Sequence, residues 1–236
     1  MSAPLLGVVG GIGPESTIDY YRRLVTGYRA RTKASPRVVI NSIDVDEVLR
    51  MVGNGDLPAL TAYLLSAIET LSRAGATLGI IAANTPHVVF DDVRERAPLR
   101  LISIVEATCQ HARDAGMLRL LLLGTKFVMS GSFFQRVATH QGLELVVPSD
   151  AEQMDVHDVY VNELLKGSFL EGSRNRIVSM IDRCAEARRI DGVILAGTEL
   201  PLLLRSASTS VPCLDTTAIH VDAALTALAE VRESGS

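Results

Sequence analysis

Two apolar strands in this chain run out into short polar segments of similar make-up. One reads Ile80-Ile81-Ala82-Ala83-Asn84-Thr85-Pro86-His87, the other Val193-Ile194-Leu195-Ala196-Gly197-Thr198-Glu199-Leu200-Pro201. His87 and Glu199 are the acid/base side chains of these segments. Asn84, Thr85 and Thr198 are suited to binding a carboxylate or to capping a helix, and residue type alone leaves both uses open. A third segment, Gly10-Gly11-Ile12-Gly13-Pro14, joins a strand to a helix. Its backbone N–H groups, Gly11 and Gly13 included, would make a seat for an anion. The plainer reading is a tight turn with Pro at the start of the helix. The spacing is not that of a dinucleotide-binding turn. Thr125 closes another strand in the pair Gly124-Thr125 and is a further carboxylate contact. His220, after Asp215-Thr216-Thr217, pairs with Glu199 or lines the same site. Arg50, Lys126 and Lys166 are the cations that could meet an acidic substrate, or else solvated surface charges.

The elements that would position these residues alternate between strand and helix. Strands are expected at 5–9, 37–41, 77–82, 101–104, 118–123, 143–147, 192–195 and 211–214. Helices are expected from about 15, and over 57–74, 105–115, 130–140, 154–166, 172–188 and 218–231, with one more ending before Pro98. Apolar strand cores alternating with helices argue for parallel sheets covered on both faces. The strand ends at Ala83 and Gly197 echo one another, which suggests two similar lobes. The segment 233–236 reads as a frayed tail.

Composition narrows the class. The 236 residues include no Trp and carry a net charge of −4. No basic stripe stands out, so nucleic acid is not an expected partner. No apolar run approaches the ~20 residues that span a bilayer, and the start of the sequence lacks signal-peptide character. The reading is a cytoplasmic protein with no membrane partner. Cys109, Cys184 and Cys213 show no metal-ligand spacing and read as small buried apolar residues.

Taken together, five segments resemble the aspartate/glutamate racemase family. They are Gly10 to Thr17 with Tyr20-Tyr21, Asn84 to His87, Gly124-Thr125, Gly197 to Leu203, and Asp215 to Thr217 with His220, in the family's order and spread over nearly the whole chain. The resemblance implies an α/β fold of two similar lobes, each a mainly parallel sheet flanked by helices, with an active-site cleft between them. It sets residues 1–102 plus 213–236 in one lobe and 103–212 in the other. It also implies a homodimer, an amino acid or small carboxylate as ligand, and α-proton transfer without pyridoxal phosphate, metal or other cofactor. In that chemistry two cysteines flank the substrate, one thiolate taking the proton and the other thiol returning it. The corresponding positions here are Ala83 and Gly197, expected to face each other across the cleft. The catalytic set implied is therefore Ala83, Gly197, Glu199 and His87. The substrate-binding set is Gly11, Gly13, Asn84, Thr85, Thr125, Thr198 and Lys166. Three readings follow: an isomerase whose proton is carried by something other than cysteine, a lyase or isomerase for a different acid, and a sensor that binds an amino acid without turning it over.

Overall fold

A computed structural model describes residues 4–205 and 207–234 of the chain. These divide into two units, one running to Ile104 and resuming at His220, the other spanning Val105–Ile219. The first unit holds β1 (Leu5–Gly10), α1 (Pro14–Thr32), β2 (Arg37–Ser42), α2 (Val45–Gly53), α3 (Leu57–Arg73), β3 (Leu78–Ile81), α4 (Phe90–Arg96) and β4 (Arg100–Ile102). After α5 (Ile104–Asp114), the second unit holds β5 (Arg119–Gly124), α6 (Lys126–Ser130), α7 (Phe133–His140), β6 (Glu144–Val146), α8 (Asp150–Asn162) and α9 (Glu171–Arg188). It ends with β7 (Gly192–Ala196), α10 (Leu200–Leu204) and β8 (Cys213–Asp215), and α11 (Thr216–Ser234) returns to the first unit.

Each unit contains one four-stranded sheet in which every pairing is parallel. The order is β2-β1-β3-β4 in the first and β6-β5-β7-β8 in the second. The central strands β1, β3, β5 and β7 are buried along nearly their whole length and so carry apolar residues on both faces. Leu6 and Val8 of β1 and Leu78 and Ile80 of β3 pack with Tyr20 and Leu24 of α1 and with Val221, Ala224 and Leu225 of α11. In the second unit Leu121, Leu123, Val193 and Leu195 pack with Val156, Val159 and Tyr160 of α8 and with Ile177 and Ile181 of α9. The α/β class and the two parallel sheets match the sequence reading.

The shared strand order makes β3 and β7 equivalent, and likewise β1 and β5. In both sheets the chain reverses its direction of winding between those two central strands. Open parallel sheets bind ligands beyond the carboxyl ends of the strands at such a point. There lie Gly10–Gly13 and Ala83–Thr85 in one unit, and Gly124–Thr125 and Gly197–Glu199 in the other.

Several expectations are corrected. β8 pairs with β7 and so belongs to the second sheet, and the chain re-enters the first unit at His220. The segment after β2, to which no element was assigned, is helical. The Asp44 carboxylate accepts the Asp46 N–H, and Val48, Met51 and Val52 are buried. The helix expected over 130–140 starts later, at Phe133 beyond the extended Gly131, and a short helix that was not expected, α6, precedes it. The helix expected over 154–166 starts earlier, where Glu152 accepts the Ser149 N–H at 3.0 Å, and ends at Asn162 before a short 3-10 turn. α11 continues through Glu233 and Ser234, which the sequence reading gave to the tail; Gly235 and Ser236 lie outside the described residues.

Candidate active site

In the first unit the turn after β1 is fixed from within. Gly11 has φ +86°, and a Cβ there would lie 2.2 Å from the Ile43 carbonyl oxygen, so only glycine fits. The Gly11 N–H donates to Thr17 Oγ1 at 2.8 Å, and the Thr17 hydroxyl in turn donates to the Gly13 carbonyl at 3.2 Å. The Gly11 donor expected to hold an anion is therefore spent on the helix that follows. Gly13 has φ +96° and precedes Pro14, the first residue of α1.

The end of β3 is tied to this turn and to α1. The Ala82 N–H donates to the Val9 carbonyl at 2.9 Å, and the buried Ser16 hydroxyl donates to the Ala82 carbonyl at 3.3 Å. Ala83 and Asn84 are buried. Thr85 is half-buried at the start of a 3-10 turn, Thr85–Val89.

His87 lies in that turn, buried and stacked on Phe90 with ring centroids 4.7 Å apart. Its Nδ1 is 2.9 Å from the Ala83 carbonyl, an acceptor, and its Nε2 is 3.3 Å from the Ile104 N–H, a donor. Those partners fix one neutral tautomer, with the proton on Nδ1. Burial, and then the neighbouring His220, pull its pKa down to about 3. His220 is fixed the same way. The Tyr20 hydroxyl donates to its Nδ1 at 2.8 Å, and its Nε2–H donates to the Ile102 carbonyl at 3.0 Å. Burial brings its pKa to about 4. The two rings stand 6.3 Å apart, edge to face. Both histidines brace the first unit. Both ring nitrogens of His220 are thereby engaged within the first unit.

In the second unit Thr125, read from the sequence as a carboxylate contact, caps α6, its hydroxyl oxygen accepting the Val128 N–H. After β7 the chain turns into α10 through Gly197, Thr198 and Glu199, with the Leu200 N–H donating to the Gly197 carbonyl at 2.9 Å. Glu199 is fully buried. Its Oε2 accepts the Thr198 hydroxyl at 3.0 Å and the Tyr160 hydroxyl from α8. Burial, and then the Glu199 charge, raise the Tyr160 pKa well above its ordinary value, so the phenol keeps its proton. A Cβ on Gly197 would lie 2.5 Å from Cε2 of the same tyrosine.

The three candidate cations are all exposed. Lys166 ends the 3-10 turn Leu164–Lys166, and Lys126 opens α6. Arg50 forms a 2.8 Å ion pair with Glu47 on α2. The thiols lie elsewhere. Cys109 and Cys184 are buried and Cys213 is half-buried, and burial raises all three pKa values, that of Cys109 to about 12. Among the described residues no cluster of three or more His, Cys, Asp or Glu side chains is arranged to hold a metal ion, and no helix is long and apolar enough to cross a membrane.

The sequence reading missed Tyr160. Its signal was indirect: a glycine at residue 197 leaves a space that some bulky side chain must fill, and Tyr160 shares the buried face of α8 with Val156 and Val159.

Comparison with known proteins agrees with this fold. The chain is 33% identical to an aspartate racemase homologue from Pyrococcus horikoshii, with a TM-score of 0.82 over 97% of this chain and all of the other. The Picrophilus torridus aspartate racemase shares the fold, with a TM-score of 0.78 at 20% identity over 96% of this chain and 94% of that one. The broad specificity amino-acid racemase RacX of Bacillus subtilis is 22% identical, the match covering 91% of this chain and 93% of that protein. A family model described as Asp/Glu/hydantoin racemase matches residues 9–224. The chain belongs to the Asp/Glu/hydantoin racemase family.

Proposed function

We propose that this chain is an amino-acid racemase-type isomerase that moves the α-proton of an acidic or related amino acid without pyridoxal phosphate or a metal ion. The observation that carries this reading is the family match over residues 9–224, with Asn84-Thr85 and Thr198-Glu199 following the equivalent strands β3 and β7. Gly13, Asn84, Thr85 and Thr198 are the proposed substrate contacts. Ala83 and Gly197 stand at the two positions where thiols would act, and neither can accept a proton. Both ring nitrogens of His87 are engaged with backbone. Glu199 is therefore the proposed acid/base side chain. By the same resemblance the chain works as a homodimer in the cytoplasm.

Incubation with aspartate, glutamate and a panel of other amino acids in deuterated water tests the reading. Deuterium at the α-carbon is the expected result, and Glu199→Gln lowers its rate about 100-fold or more. A second reading, a homologue that binds an amino acid and leaves it unchanged, is favoured by the lack of a thiol at both positions. Calorimetric binding of an amino acid with no α-exchange would establish that reading and overturn the first.

A further inference from the structure

Gly197 lacks a side chain for a steric reason. Its φ is not positive, so its backbone is one that any residue could adopt. The obstacle is the Tyr160 ring. A Cβ at residue 197 would lie 2.5 Å from Cε2 and 3.1 Å from Cδ2 of Tyr160, and 3.2 Å from Cδ1 of Leu200. The ring has little room to give. It is 6% exposed and packed in the core of the second unit. Its hydroxyl is tethered to Oε2 of Glu199, two residues beyond the glycine. Thr198 donates to the same oxygen at 3.0 Å. Glycine, ring and carboxylate form one packed arrangement within a single unit.

We infer that Tyr160 is the positioning residue at this end of the site: its ring takes the volume that a side chain on residue 197 would need, and its hydroxyl fixes the Glu199 carboxylate as the acid/base group in place of residue 197. The second half of the inference rests on the isomerase reading; the packing half does not. In the step implied, the Cα–H bond of the amino acid breaks and an O–H bond forms on Glu199. The electron pair stays on the α-carbon, conjugated with the substrate carboxylate. Return of the proton from Glu199 regenerates the starting enantiomer. A proton from water delivered to the opposite face, with Glu199 passing its own proton to the hydroxide left behind, inverts the centre. Tyr160 donates its hydrogen bond throughout and keeps its own proton, as its burial beside an acidic side chain requires. The chemistry at this end of the site has moved two residues along the chain, from position 197 to position 199.

A double-mutant cycle tests the packing half. Gly197→Ala lowers Tm by roughly 5 °C in the chain with Tyr160. In a Tyr160→Leu background, which lacks the Cε2 atom, the same substitution costs at most a fraction of that. Equal losses in both backgrounds overturn the pairing. Should the leucine variant not fold, Tyr160→Met serves as the same partner. Tyr160→Phe tests the positioning half, since it keeps the ring and removes only the hydroxyl. Its kcat for α-deuterium exchange drops at least tenfold with KM within about twofold and the fold intact. An unchanged kcat overturns the positioning role. If the unsubstituted chain exchanges no amino acid, the isomerase reading and with it the role of Glu199 fail, while the cycle still decides whether Tyr160 and Gly197 are packed as a pair.

Discussion

Nδ1 of His87 lies 2.9 Å from the carbonyl oxygen of Ala83, four residues earlier in the chain. The imidazole nearest the end of β3 is thus committed to backbone on this side and, through Nε2, to the Ile104 N–H on the other. A general base needs an open lone pair and a pKa near the working pH. His87 has neither, and its place in the protein is to join the 3-10 turn after β3 to the start of α5.

This bracing makes stability depend on pH. His87 and His220 are held below the ordinary 6.5, at about 3 and about 4, chiefly by burial. Below pH 6.5 the unfolded chain takes up two protons that the folded chain refuses until much lower pH. Their contribution is therefore full above pH 6.5 and is lost as pH falls toward 4 and 3, at up to about 1.4 kcal/mol per pH unit for each ring. Between pH 7 and pH 5 the loss is about 4 kcal/mol, a large share of a typical domain's stability. Urea unfolding at the two pH values measures it. His87→Asn, which keeps a donor for the Ala83 carbonyl, removes about half of the pH dependence. Stability equal at pH 7 and pH 5 would show that the rings are not buried neutral.

The alternation of strands and helices was legible because parallel strands buried on both faces leave continuous apolar runs such as Leu120-Leu121-Leu122-Leu123 and Val193-Ile194-Leu195. Short elements were harder to read. α2 carries a cap at Asp44 and an apolar stripe at Val48, Met51 and Val52, yet the sequence reading assigned no element there. Gly131 separates α7 from α6, and no cap or apolar stripe had marked the five-residue α6 in the sequence reading. Residue types named Glu199 and His87 as acid/base candidates but could not tell them apart. Their difference lies in long-range partners: Tyr160, 39 residues before Glu199, and Ile104, 17 residues after His87. Local spacing does not encode which side chain of α8 meets the turn after β7.

The turn after β1 should be among the least tolerant points of the first unit. Gly11 combines φ +86° with a 2.2 Å approach of any added Cβ to the Ile43 carbonyl, and a backbone oxygen cannot rotate away as a side chain can. Gly11→Ala is expected to cost about 2–4 kcal/mol. Thr17→Val leaves the Gly11 N–H without its acceptor and costs about 1–2 kcal/mol. Denaturant midpoints at constant m-value report both. Loss of amino-acid binding in the threonine variant with stability unchanged would instead mark Thr17 as a ligand contact.

The thiols give the sharpest contrast with cysteine-based racemisation. The thiolate is the reactive form, and burial raises the pKa of all three cysteines, Cys109 to about 12. At pH 8 a thiol with that pKa is ionised to about one part in ten thousand. Iodoacetamide applied to the folded protein at pH 8 should therefore leave α-deuterium exchange unchanged. Mass spectrometry should find Cys213, the half-buried one, labelled slowly and first, with Cys109 labelled only in denaturant. Replacing all three cysteines by alanine should likewise leave the exchange rate within about twofold. Exchange that disappears in step with alkylation of one cysteine would return a thiol to the chemistry and remove Glu199 from it.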